Sequence, residues 1–179
     1  MLKRLLLVLA LFIGASLPAA AADLENTLYL DLKDGRVVIE LLPNVAPKTV
    51  ARIKELARQG FYDNTPIHRV IPGFMAQMGD PTGSGSGGSG QNIPAEFNAQ
   101  PHVRGTVSMA RTSDPNSADS QFFICFDTAD FLDRQYTVFG QVIDGMQFVD
   151  RITPGSEANN GIVANPDKIV KVQVAADAQ

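Results

Sequence analysis

Eight short runs of aliphatic, aromatic and β-branched residues, parted by turn-forming residues and joined by only two helical patterns, limit what this chain can fold into. TLYLDL (27–32) and RVVIELL (36–42) flank Lys33-Asp34-Gly35, and Asp-Gly between such runs signals a hairpin. TPIHRVI (65–71) and GFMAQMGD (73–80) meet at a Pro72-Gly73 corner. GTVSMA (105–110), QFFICF (121–126), YTVFGQVI (136–143) and IVKVQVA (169–175) complete the set. Helical spacing is confined to two places. One is APKTVARIKELARQG (46–60), where Val50, Ile53, Leu56 and Ala57 recur, Pro47 suits the first turn and Gly60 the stop. The other is DGMQFVDRI (144–152), with Met146, Val149 and Ile152 turned inward, while ADFLD forms a short helical turn. Strands that do not alternate regularly with helices disfavour a parallel α/β sheet. The expected fold is mainly β: a closed eight-stranded antiparallel β-barrel capped by two α-helices, closure removing exposed strand edges.

The chain has 179 residues, and its first 22 read as a cleaved secretory signal peptide. Lys3 and Arg4 precede an apolar stretch from Leu5 to Ile13, and four alanines at 19–22 suit a signal peptidase. A membrane anchor needs about 20 apolar residues, whereas Gly14, Ser16 and Pro18 break this run. Residues 23–179 then form a single domain with no membrane contact after cleavage, expected in the periplasm or, as the alternative, outside the cell. Without Lys3 and Arg4 the domain carries thirteen basic and nineteen acidic residues, a net charge near −6. That balance argues against a nucleic-acid partner, which requires clustered cations. Cys125 is the sole cysteine, so no internal disulfide forms, and its setting in QFFICF reads as core. Two histidines and one cysteine make a zinc site improbable. From 79 to 90 the sequence GDPTGSGSGGSG lacks the Lys-Ser or Lys-Thr of a phosphate-binding loop and reads as a long mobile surface loop.

Within HRVIPGFMAQMGD (68–80) one residue stands out chemically. Arg69 places a permanent cation with five donors among aliphatic and aromatic side chains, which is expensive unless something accepts from it. Residues two apart on a strand share a face, so Met75 goes with Gln77 and Gln121 with Phe123. If both pairs face one groove, they make a mostly apolar surface with a few placed amides, as ligand and peptide sites are usually built. The bland alternative leaves Met75 and Phe123 in ordinary core and both glutamines in water. A hydrolase triad from His68, Ser108 and an aspartate lacks a nucleophile elbow, since Ser108 lies in a strand run. His102 with Cys125 as a thiol pair is weaker still, and the acidic residues are too scattered for a glycosidase pair.

HRVIPGFMAQMGD, GTVSMA, SQFFICF and FLDRQYTVFGQVIDGM, in that order and at these separations, resemble the signature blocks of the cyclophilins, the cyclosporin-binding peptidyl-prolyl cis-trans isomerases. The similarity runs from about Thr27 to Val174, and with the export signal the chain is similar to the compact periplasmic cyclophilins of bacteria. The resemblance implies rotamase activity with no cofactor and no metal, on proline-containing unfolded or partly folded polypeptides, by a monomer. It implies Arg69 as the catalytic residue. It also implies a substrate groove of Phe74, Met75, Gln77, Ala110, Gln121, Phe123 and Leu132, with His68 beside it and the backbone near Arg111 holding the flanking peptide. Two groove positions depart from the family pattern. Phe131 stands where many members carry tryptophan, and Tyr136 where histidine is frequent, so cyclosporin is expected to bind with weakened affinity. A proline-binding module without turnover and a holdase-like chaperone remain as rival readings, against which Arg69 favours the enzyme.

Overall fold

The structure, a computed structural model, describes residues 23–178; the signal-peptide reading of 1–22 lies outside the described residues. The chain runs β1 (Thr27–Leu32), β2 (Gly35–Leu41), α1 (Pro47–Arg58), β3 (Arg69–Ile71), β4 (Met75–Met78), β5 (Thr106–Met109), β6 (Phe122–Cys125), β7 (Val138–Asp144), α2 (Met146–Val149) and β8 (Lys171–Val174). The eight strands form one antiparallel sheet in the order β3-β4-β6-β5-β7-β2-β1-β8.

β1 and β2 pair from Thr27↔Glu40 to Leu32↔Gly35, so the turn is Lys33-Asp34 and Gly35 already belongs to β2. A side chain at Gly35 would meet the Phe148 ring at 2.5 Å, which explains a glycine inside the strand. Alternation turns Leu28, Leu30 and Leu32 inward on β1 and Val37, Ile39 and Leu41 inward on β2. Burial of large apolar side chains such as these, each worth about 1.5–3 kcal/mol, holds together a domain that has a single free, buried cysteine. α1 presents Val50, Ile53, Leu56 and Ala57 to this core and packs beside β8. Its N-cap, Ala46, has no capping side chain. Glu96, almost fifty residues away, does the capping: its carboxylate accepts from Lys48 N (3.0 Å), Thr49 N (2.8 Å) and Thr49 Oγ1 (2.8 Å). α2 is a single turn against β2, shorter than the helical pattern over 144–152.

The expected closed barrel is not formed. β3 and β8 end the sheet without pairing to each other, so the sheet is a curled half-barrel, open along that seam. Flanking segments stitch the gap instead: Asn64 N donates to Ile169 O (2.9 Å), Ile169 N to Thr65 O (2.9 Å) and Ile67 N to Asp167 O (2.8 Å). The outer edge of β3 is covered by residues 155–163. Val70 N donates to Gly161 O (2.7 Å), Gly155 N to Val70 O (3.0 Å) and Val163 N to His68 O (3.0 Å). Short strands whose backbone groups are satisfied by loops leave a sequence pattern like that of a closed barrel, because side-chain alternation does not reveal the last pairing.

Two apolar clusters sit on opposite faces of the sheet. On β6, Phe122 and Ile124 enter the main core, while Phe123 and Cys125 join Met75, Ala129 and Leu132 in a second cluster. The four residues of β6 are therefore buried on both faces.

Candidate active site

Strand register assembles the site from the second face. Arg69 pairs with Gln77 across β3 and β4, Gln77 with Phe123 across β4 and β6, and Phe123 with Ser108 across β6 and β5. Directly opposed residues share a face, so these four form one row, and the next row holds Ile71, Met75 and Cys125. Above them lies a pocket of about 410 Å³ lined by Arg69, Phe74, Met75, Gln77, Ala110, Arg111, Phe123, Phe131, Leu132, Gln135 and Tyr136. Met75, Phe123 and Leu132 make a buried floor, and Phe74 and Tyr136 are half-buried walls. Phe131 stands on the rim, 62% exposed, its ring 5.4 Å from that of Phe74. A second hollow of about 320 Å³ shares Gln77, Ala110 and Arg111 with the first and extends to Gly85–Gly88 and Gln121.

Arg69 faces the pocket, and its partners are all neutral. Nε donates to Asn160 O (2.9 Å), Nη2 to Asn160 Oδ1 (3.0 Å) and Nη1 to Gln77 Oε1 (3.3 Å). Among the described residues no carboxylate pairs with it. Burial pulls the guanidinium pKa below its ordinary value, only partly opposed by Tyr136, yet arginine stays cationic at any physiological pH. A desolvated, uncompensated cation beside an apolar slot can lend its charge to a substrate acceptor.

Gln77 passes the contact onward. Its Nε2 donates to Gln121 Oε1 (2.8 Å), whose Nε2 donates to Gly85 O (3.1 Å) and Gly87 O (2.8 Å) of the glycine-rich loop. That loop, expected to be mobile, is tied to the buried Asp80. The Asp80 carboxylate accepts five hydrogen bonds: from Thr82 N and Oγ1, Ser84 Oγ, Gly85 N and Gly87 N. Burial pushes this carboxyl up, but the donors of Thr82, Gly87 and Gly85 outweigh it and hold the pKa at about 2.

Two of the expected residues do not line the apolar pocket itself. His68 is 5% exposed and lines neither pocket; its ring sits beneath Gly85 with both nitrogens unpartnered, and burial lowers its pKa. Gln121 borders the second hollow rather than the first. The Arg111 side chain lies over the Tyr136 ring at 4.6 Å and donates to Gln135 O (3.0 and 2.9 Å) and Thr112 O (2.7 Å), so its donors tie its own loop to the segment before β7. Ala110 N is taken by Gln121 O.

Gln135, Asn160 and a buried chain behind the floor escape the sequence reading. In that chain His102 Nδ1 meets Asp133 Oδ1 (2.9 Å) and Nε2 meets Ser108 Oγ (3.0 Å), with the His102 ring stacked on Phe123. These are hydrolase residue types, but Ser108 is fully buried and its hydroxyl also lies 3.0 Å from Thr137 O. No substrate carbonyl reaches it, and the chain serves as a buttress under Phe123. The backbone N–H and ring of His102 hold the Asp133 carboxyl below the usual carboxylate range.

Known proteins fit this geometry. Residues 27–174 match the family model described as cyclophilin type peptidyl-prolyl cis-trans isomerase/CLD. A probable peptidyl-prolyl cis-trans isomerase of Brucella suis is 55% identical, over 95% of this chain and 93% of that protein. Peptidyl-prolyl cis-trans isomerase B of Bacillus subtilis is 42% identical, over 73% and 92%. Among solved structures, a cyclophilin from Hirschia baltica superposes with a TM-score of 0.77 at 30% identity, covering 87% of this chain and 76% of that one. A cyclophilin-type isomerase of Cryptosporidium parvum, crystallised in the presence of the dipeptide Ala-Pro, gives 0.75 at 30% identity, covering 83% and 98%. The half-barrel, the slot beside an arginine held by neutral partners and these relatives lead to one statement: the chain belongs to the cyclophilin family of peptidyl-prolyl cis-trans isomerases.

Proposed function

We propose that Arg69 drives isomerisation by donating a hydrogen bond to the twisted prolyl amide of a peptide held in the apolar pocket, and that the protein does so for exported chains in the periplasm. Rotation about an Xaa-Pro bond meets a barrier of about 18–20 kcal/mol because resonance gives the C–N bond double-bond character. In the twisted transition state that resonance is lost, and the nitrogen lone pair becomes an acceptor. A donor aimed there favours the twisted state over both planar ones, which is the differential binding that accelerates a reaction. Met75, Phe123 and Leu132 hold the pyrrolidine ring in ground and transition states alike and so set affinity. The carrying observation is that Arg69 reaches the pocket with neutral partners only.

The relative crystallised with Ala-Pro supports proline-containing peptides as substrates. Phe131, with no indole N–H to donate, supports weak cyclosporin binding. The export reading of residues 1–22 supports the periplasm, and N-terminal sequencing of the exported protein checks it: an intact Met1 would remove it. For the mechanism, a charge-assisted hydrogen bond is worth about 1.5–3 kcal/mol, about 10- to 150-fold in rate. Arg69→Ala is therefore expected to fold and bind peptide but to lose at least about tenfold in turnover by NMR exchange. Unchanged turnover would remove Arg69 from its role.

A further inference from the structure

A hydrogen bond to a transient lone pair helps only if the donor already points there, and an arginine side chain has several rotatable bonds to settle first. One residue settles most of them here. Asn160 offers two acceptors to two different nitrogens of the same guanidinium, its carbonyl O to Nε at 2.9 Å and its Oδ1 to Nη2 at 3.0 Å. Two contacts from one residue fix the plane of the group as well as its position. The third contact, Nη1 to Gln77 Oε1, turns the remaining edge toward the pocket.

Asn160 is placed for this by its backbone. It sits in the left-handed region (φ 51, ψ 36) at the end of the turn Glu157–Asn159, a conformation that asparagine and aspartate tolerate better than most residues. The turn closes on itself through Asn160 N to Glu157 O (3.2 Å) and Gly161 N to Ser156 O (2.8 Å). It is fastened to β3 through Val70 N to Gly161 O (2.7 Å), one residue from Arg69. Guanidinium and clamp are thus attached to the same strand. An aspartate would suit the turn equally and grip harder, but its charge would cancel the one the substrate is to feel.

We infer that Asn160 is a positioning residue for prolyl isomerisation: a neutral clamp that orients the Arg69 guanidinium toward the pocket while leaving its charge uncompensated. The inference rests on the proposed role of Arg69. It is tested in the folded mature protein with Asn160→Gly, Asn160→Asp and Arg69→Ala, measuring exchange of the bound Xaa-Pro peptide by NMR, peptide Kd by titration, and Tm. Asn160→Gly keeps the left-handed backbone and the carbonyl acceptor but loses Oδ1; exchange is expected to slow about three- to tenfold with Kd within about twofold. Asn160→Asp keeps size and both acceptors; exchange is expected to slow about tenfold or more, with Tm no lower than wild type. A residue that merely holds the turn would leave Asn160→Asp at the wild-type rate. If Asn160→Gly lowers Tm, Asn160→Asp alone decides. Wild-type rates in the Asn160 variants beside a slow Arg69→Ala overturn the inference and leave the role of Arg69 standing. A wild-type rate in Arg69→Ala overturns both.

Discussion

Replacing Asp80 by asparagine should loosen the glycine-rich loop in a way that depends on pH. Each carboxylate oxygen of Asp80 is committed: Oδ1 to Thr82 N and Oγ1, Oδ2 to Ser84 Oγ, Gly85 N and Gly87 N. An amide keeps one acceptor and turns an NH2 toward the donors of the other side. The charge contribution follows from the folded pKa of about 2 against the usual 3.8. At 1.36 kcal/mol per pKa unit, that difference is worth about 2 kcal/mol. Because the folded pKa is depressed, this stability is fully present above about pH 4 and lost as pH falls through about 2. Leaving one or two buried N–H groups facing another donor costs a further 1–3 kcal/mol or so, independent of pH. Urea unfolding of wild type and Asp80→Asn at neutral pH should therefore differ by about 3–5 kcal/mol. The gap should narrow by about 2 kcal/mol when both are measured near pH 2, other carboxyls cancelling in the difference. A gap that stays constant from pH 7 to pH 2 would refute the assignment of the charge, and no gap at all would refute the anchor.

Glu96→Ala removes three hydrogen bonds from the first turn of α1 and should lower stability by about 1–2 kcal/mol in chemical denaturation; an unchanged midpoint would show that water caps the helix as well. Burial pushes the Cys125 thiol up to about 12, so at pH 8 Ellman's reagent should react only after denaturant is added. Stoichiometric reaction of the native protein within minutes would contradict that burial.

What is legible in the sequence is what depends on neighbours along the chain. The hairpin of β1 and β2 follows from alternation around Lys33-Asp34, and the facing of Gln77 and Phe123 follows from period two once their strands are recognised. Phe74, Met75, Gln77, Ala110, Phe123, Phe131, Leu132 and Tyr136, singled out by the resemblance, line one pocket. What escapes is decided at a distance. Asn160 lies 91 residues from Arg69, and its contact arises only because the 155–163 segment folds against β3. His68 follows Ile67 in an apparently continuous strand, yet the loop hung from Asp80 lies over it and takes it out of the groove. Glycine and serine content suggests freedom, whereas Asp80 fastens the loop as far as Gly87 and Asp119 holds Ser89 and Gly90. The open seam escapes for the same reason, since backbone bonds between 64–67 and 167–169 carry no side-chain signature.

A catalyst of prolyl rotation works among extended polypeptides, and an extended polypeptide is also what a naked sheet border recruits. Arg69 sits on the outermost strand, where such recruitment would begin. With Val70 N and Val70 O already bonded to Gly161 and Gly155, the border has no ladder to offer. A passing chain can touch the slot and depart, and the enzyme avoids becoming a template on which its own substrates would accumulate.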